Sequence, residues 1–202
     1  VACNWHYFRR DLLSGSSPII VFFETSNRCN LYCIACRKSQ HEIFDQNPQS
    51  NGEFILTGNM PLSFFKKMLD GIKEHTLLAV LYVNGEPLLR KDISEFVRYA
   101  TESRVATMIS TNGMLLDEKK IANILNAGVD IIKIAVSGYT QEVYQINHRG
   151  GDIEIIMENV ATLMRLHKEL SSKAVVFLDY ILFEHNQNET ELWRRHCRDL
   201  GI

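Results

Sequence analysis

Five short apolar, β-branched runs punctuate the chain, at residues 19–25, 78–83, 105–111, 131–137 and 174–183. Between them apolar positions recur at steps of three and four, the period of a helix with one buried face. Leu62, Phe65, Met68, Leu69 and Ile72 form one such stripe behind Pro61, a residue suited to a helix start. Ile93, Phe96, Val97 and Ala100 form a second behind Asp92, read as an N-cap. Ile121, Ile124 and Leu125 follow Asp117, and Gly128 is placed to end that helix. Ile156, Val160, Leu163 and Met164 mark a fourth helix. Leu192, Trp193, His196 and Leu200 mark a fifth, closed by Gly201. Strand and helix in strict alternation predict an α/β chain with a parallel sheet and helical crossovers. An α/β barrel or part-barrel is favoured over an open doubly wound sheet, although periodicity alone does not separate the two. In both, ligands gather at the C-terminal ends of the strands. Residues 1–18 are polar and end in Ser14-Gly15-Ser16-Ser17-Pro18, which reads as a lead-in to a single domain over 19–202.

Composition removes several classes of function. With 46% hydrophobic and 23% charged residues the chain is ordinary for a globular domain. A formal net charge of -2 gives no basic stripe for nucleic acid, so none is expected as a partner. The longest apolar run, Ile19-Ile20-Val21-Phe22-Phe23, suits a buried strand and is far too short to cross a bilayer, so no membrane is expected either. The start, Val1-Ala2-Cys3-Asn4-Trp5-His6, lacks the basic-then-apolar design of a signal peptide. It also lacks Met, so a trimmed chain or a fragment is expected. Three of the five cysteines fall within residues 29–36, unlike the even, dispersed set of a disulfide framework. A reducing cytoplasm is the expected compartment.

That triplet, Cys29-Asn30-Leu31-Tyr32-Cys33-Ile34-Ala35-Cys36, directly follows the first predicted strand. Three thiolates in one loop at a strand's C-terminal end are able to wrap a metal centre. Buried cysteines acting as small hydrophobes are one alternative. A structural zinc is another, but zinc motifs usually pair two halves, and here His41 is the one ligand offered beyond the triplet. Iron–sulfur clusters take thiolates in tight runs of this kind. Three ligands for four irons leave one iron open.

The spacing CxxxCxxC after a first strand resembles the radical S-adenosylmethionine (SAM) superfamily, and later segments resemble that family's other elements in order. The resemblance covers about residues 19–202 and implies a partial (β/α)6 barrel with outer helices, truncated near strand six. It further implies a [4Fe–4S] cluster on Cys29, Cys33 and Cys36 that binds the methionyl amine and carboxylate of SAM. One electron passed into the sulfonium then releases a 5′-deoxyadenosyl radical, which takes a hydrogen atom from substrate. One departure stands out: the residue before the third cysteine, often aromatic in the family, is Ala35 here, which leaves Tyr32 or main chain for the adenine.

Further positions follow from the same resemblance. Asn84-Gly85-Glu86-Pro87 after the second strand resembles the Gly-Gly-Glu motif that receives the methionine amine, with Asn84 in place of the first Gly. As chemistry alone it is an ordinary turn whose Gly allows close backbone approach. Ser110 and Asn112, in Ser110-Thr111-Asn112-Gly113, match a signature that faces the cofactor. Ser137 matches a serine that contacts its methionyl or ribose part, although the Asp-Gly that often follows is replaced by Gly138-Tyr139. Arg149 matches an arginine near the cofactor carboxylate, and is otherwise a solvated surface residue. His148, a lone histidine, reads as structural, with proton donation the other role open to it. Asn186 and Glu189 match an Asn and a Glu after the fifth strand, Asn188 being a plain N-cap alternative. Cys197 falls on a helical stripe and reads as packing.

The expectation is a radical SAM enzyme acting on a peptide or small molecule, with an external one-electron reductant such as flavodoxin or ferredoxin. The region between strands four and five resembles the branch that carries a C-terminal cysteine-rich extension with auxiliary clusters. The other class left open is a non-catalytic cysteine–metal module, either an Fe–S electron carrier or a zinc-stabilised binding domain.

Overall fold

A computed structural model describes residues 18–36 and 58–202. Cys3, His41 and all of the expected lead-in except Pro18 lie outside the described residues. Five strands, β1 (Ile20–Phe22), β2 (Leu78–Val80), β3 (Ala106–Thr111), β4 (Ile131–Val136) and β5 (Val175–Tyr180), form one sheet in the order β1-β2-β3-β4-β5. Every pairing is parallel, with Phe22 opposite Val80, Val80 opposite Met108, Thr111 opposite Ile134 and Val136 opposite Tyr180. The sheet is open, so the part-barrel expectation holds and a closed barrel does not form among the described residues. All five runs are strands, and the observed strands are shorter than the apolar runs. Most of the extra residues follow the strands and turn into the loops of the rim, while Ile19, Val105 and Ala174 precede them.

Helices cover one face. They are α1 (Leu62–Asp70), α2 (Ile93–Glu102), α3 (Glu118–Asn126), α4 (Gln141–Asn147), α5 (Ile153–Glu169) and α6 (Thr190–Leu200). In β4, Ile132, Ile134 and Val136 are buried toward this layer, while Ile131, Lys133 and Ala135 are only half-buried. That two-residue alternation gives the sheet a dry convex face and an accessible concave one. The core begins with Phe65, whose ring lies 4.8 Å from Phe23 and 4.9 Å from Phe96, pairings of the kind that add to plain area burial.

Local chemistry explains most helix boundaries. The Asp117 carboxylate accepts from the Lys120 N–H at 2.8 Å, and the Asp152 carboxylate accepts from Glu154 and Ile155, each satisfying end donors. Gly128 and Gly201 sit at φ 88° and 77° just past helix ends, the left-handed region that favours glycine. Three expectations change. Asp92 occupies an N-cap position without capping, because its carboxylate is held by Arg90 at 2.7 and 2.9 Å. Glu189, not Asn188, precedes α6. The short α4 is additional; its start is signalled by Thr140, whose hydroxyl accepts from the Val143 N–H. No helix among the described residues is long and apolar enough to cross a membrane.

Candidate cluster and cofactor site

The cysteine loop leaves β1 and lies across the strand ends. Its main chain is tied to a segment more than a hundred residues later. The Tyr32 N–H donates to the Arg149 carbonyl and the Ile34 N–H to the Asn147 carbonyl, both at 3.0 Å. The Ala35 N–H donates to Asn147 Oδ1 at 3.2 Å. Cys29, Cys33 and Cys36 line one cavity of about 280 Å³. Burial, with Cys29 and Cys36 adding their charge, pushes the Cys33 thiol up to about 12. The Cys33 thiol so placed resists ionising unaided, and a positive metal centre reverses that preference. Among the described residues no three His, Cys, Asp or Glu side chains gather around a single ion. A four-iron cluster is wider than one ion and takes its sulfurs correspondingly farther apart.

Two carboxylates assemble the turn after β2. Glu24, at the end of β1, accepts from the Asn84 N–H at 2.8 Å, the Gly85 N–H at 3.2 Å and the Val83 N–H at 3.3 Å, with Asn84 Nδ2 at 3.4 Å. The Glu86 N–H donates to the Arg28 carbonyl at 2.7 Å. A Cβ on Gly85 would run into the Ser26 carbonyl, so this turn and the segment before Cys29 touch backbone to backbone, which only glycine allows. Glu86 itself is 2% exposed. Its carboxylate accepts from the Leu88 N–H at 2.9 Å, Thr111 Oγ1 at 2.8 Å and the Asn112 N–H at 2.8 Å. Burial lifts its pKa to about 7 against the pull of those donors.

The end of β3 completes this side. Asn112 donates from Nδ2 to Asn30 Oδ1 at 2.9 Å and lies 3.8 Å from Cys29 Sγ. Of the seven expected cofactor residues, Asn84, Gly85, Glu86, Ser110 and Asn112 share the cavity wall with the cysteines. Ser137 and Arg149 are not brought to that wall. Ser137 is 1% exposed, its hydroxyl without a partner among the described residues, and its carbonyl accepts from Asn186 Nδ2 at 3.1 Å. The Arg149 side chain is exposed, and it is the main-chain carbonyl that meets the cysteine loop. Ala35 lines the cavity whereas Tyr32 is exposed and does not.

Asn186 and Glu189 bond to the main chain at the ends of β4 and β5 and the start of α4. Asn186, fully buried, bridges the ends of β4 and β5 through the Ser137 and Ile181 carbonyls and the Phe183 N–H. Glu189 accepts from the Tyr139 N–H and Thr140 Oγ1, both at 2.6 Å, an acid placed at the N-terminus of α4. Trp193 Nε1 donates to the Gly138 carbonyl at 2.8 Å.

The sequence reading missed Glu24, Tyr82, Lys133, Asn147 and Asp179. All but Glu24 line the cavity. Lys133 Nζ lies 2.9 Å from Asp179 Oδ2 and 5.3 Å from the Tyr82 ring centre. Their signal was a charged residue inside an apolar strand, at positions that alternate onto the concave face. His148 also lines the cavity, and burial pushes its pKa down to about 4, so the ring is neutral.

The family model described as the Radical SAM superfamily matches residues 23–192, from just past β1 through the cysteine loop and strands β2 to β5. The chain belongs to the radical SAM superfamily. Among radical SAM relatives, Fe-coproporphyrin III synthase of Methanosarcina barkeri is 29% identical over 60% of this chain and 27% of its own length. GTP 3′,8-cyclase of Limosilactobacillus fermentum is 29% identical over 83% of this chain and 46% of its own. This chain therefore spans less than half the length of either. The radical SAM fold is shared with Streptococcus suis SuiB in its crystal structure bound to S-adenosylmethionine, at a TM-score of 0.73 and 14% identity, over 93% of this chain and 39% of that one. SuiB is also seen bound to the precursor peptide SuiA.

Proposed function

We propose that Cys29, Cys33 and Cys36 hold a [4Fe–4S] cluster, that SAM binds beside it, and that the protein abstracts a hydrogen atom from a peptide or small molecule. The observation that carries this reading is the single cavity walled by all three cysteines together with Asn84, Gly85, Glu86, Ser110 and Asn112. When bound, the cluster would supply the electron, drawn from a reductant such as a flavodoxin or ferredoxin, that cleaves the sulfonium to the 5′-deoxyadenosyl radical.

The chain's own residues position and exclude. Glu24 and Gly85 hold the turn of residues 83–85 against the cysteine loop, so main chain faces the cofactor at close range. Glu86 and Asn112 form the floor between that turn and Cys29; Glu86 offers the acceptor for the methionine ammonium. Leu31, buried on the cavity wall, keeps water from the reacting atoms on that side. Lys133, Asp179 and Tyr82 stand on the concave face of the same cavity and suit contact with the substrate. The relatives are named for a porphyrin and a nucleotide, and SuiB is seen with a peptide, which supports the breadth of the substrate statement.

The test is anaerobic reconstitution with iron and sulfide, followed by electron spin resonance of the reduced protein. Addition of SAM is expected to shift the signal, and Cys33→Ala to remove the iron. Zinc without iron in the purified protein, or a cluster whose signal ignores SAM, would overturn the reading.

A further inference from the structure

We infer that His148 is a positioning residue for the cluster: its Nδ1–H donates to the sulfur of Cys33 and raises the cluster's reduction potential. This rests on the proposed cluster at Cys29, Cys33 and Cys36. The structural basis is the distance of 3.4 Å between His148 Nδ1 and Cys33 Sγ, within hydrogen-bond reach for sulfur, and the way the surrounding backbone enforces it.

The two residues flanking His148 both bind the cysteine loop through their carbonyls. Asn147 takes the Ile34 N–H and Arg149 the Tyr32 N–H. These donors flank Cys33, so the residue between the two carbonyls is set opposite the middle cysteine. The ring plane is fixed as well. His148 stacks on Tyr144 with centroids 4.7 Å apart and 12° between planes. Tyr144 is boxed in turn: a Cβ on Gly138 would strike its backbone and one on Gly151 its ring. A histidine that only braced a fold would satisfy its ring on main chain or a carboxylate. Here Nε2 is buried without a partner among the described residues, and the polar contact of the ring is the cysteine sulfur. A thiolate sulfur accepts and cannot donate, so it selects the tautomer with hydrogen on Nδ1.

A hydrogen bond to a cluster sulfur favours the redox state with more negative charge. Reduction adds one electron to the cluster, so the donor stabilises the reduced form more than the oxidised one. His148 thereby makes the electron easier to load.

The experiment uses the anaerobically reconstituted chain without SAM, titrated with a chemical reductant while the spin signal is followed. His148→Phe keeps the stack on Tyr144 and deletes the donor. It is expected to hold full iron and to be roughly tenfold harder to reduce, about 59 mV lower for one electron. His148→Asn, whose amide is able to donate from a similar place, is expected to recover most of the shift. In the wild type labelled with ¹⁵N-histidine, the reduced cluster is expected to show a nitrogen coupling too weak for a direct iron–nitrogen bond. The labelled wild type needs no variant to fold, so it decides the matter even if His148→Phe loses iron. An unmoved potential in iron-replete His148→Phe, or no nitrogen coupling in the wild type, overturns the inference and leaves the cluster standing. Wild-type protein that takes up no iron overturns the cluster itself, and this inference with it.

Discussion

The rim above β1–β3 and the rim above β4–β5 are built in opposite ways. On the first side the polar groups of the loops turn toward the shared cavity and toward one another. Glu24 grips the turn after β2, Glu86 grips the end of β3, and Asn112 reaches back to the cysteine loop. On the second side Asn147 and His148 reach the cysteine loop, but the polar groups at the immediate ends of β4 and β5 are consumed by the fold. Asn186 and Trp193 occupy the carbonyls of Ser137 and Gly138, and Glu189 occupies the N–H groups of Tyr139 and Thr140. Residues of similar chemistry thus wall the cavity on one side and brace the next βα unit on the other. The difference lies in where the neighbouring backbone leaves unsatisfied groups.

The sharpest way to break this contrast is Gly85→Ala. The added methyl meets the Ser26 carbonyl rather than a movable side chain, and overpacking of this kind costs about 3 kcal/mol. A fall in melting temperature of roughly 6–12 °C, with loss of SAM binding, is expected by calorimetry and titration. A variant that melts with the wild type would show that the two loops do not touch.

Glu86 provides the pH-dependent test. Its pKa in the folded chain is raised to about 7 from an ordinary 4.5, so the folded state keeps a proton that the unfolded chain releases between those values. Its contribution to stability is therefore complete below pH 4.5 and is lost as pH rises to 7. The cofactor-free protein is expected to lose melting temperature across that window, and Glu86→Gln to flatten that slope. An unchanged slope in the variant would assign the effect elsewhere.

On the opposite rim, Asn186→Ala removes three hydrogen bonds to main chain, the one to Ser137 fully buried, a loss of about 2 kcal/mol. The melting temperature should drop while iron content and the SAM-induced spin shift stay as in the wild type. Cofactor loss at constant fold would erase the distinction between the two sides. The smallest effect belongs to Arg149→Ala, which keeps the carbonyl on Tyr32 and discards an exposed side chain. SAM affinity is expected to stay within about a factor of two, measured by isothermal titration; a tenfold loss would place that side chain at the cofactor.

Legibility in the sequence follows the same divide. The five strands and the five striped helices were readable because period and breakers agreed, as at Asp117, Gly128 and Gly201. The motif positions after β1–β3 were readable because each stands in the loop that follows its strand, with Ser110 and Asn112 at the very end of β3. Past β4 the chain makes an extra turn of helix at α4, too short and polar to show a stripe. The residue meeting the cysteine loop's cavity is consequently His148, one position before the arginine that resemblance suggested. Lys133 and Asp179 were hidden for another reason. Their meaning depends on which face of the sheet is open, and that is a property of the closure of the whole sheet, not of either strand.

The ties from Tyr32 and Ile34 to Arg149 and Asn147 also set a timetable for biosynthesis. Cys33 and His148 are separated by 115 positions. At about 5–20 residues per second of synthesis, the cysteines precede the backbone that shapes their loop by roughly 6–23 s. During that interval they are three adjacent thiols on an unfinished chain, open to oxidation and to stray metals. Under the proposed cluster assignment, loading of iron belongs after residues 147–149 have been made, with the thiols kept reduced until then.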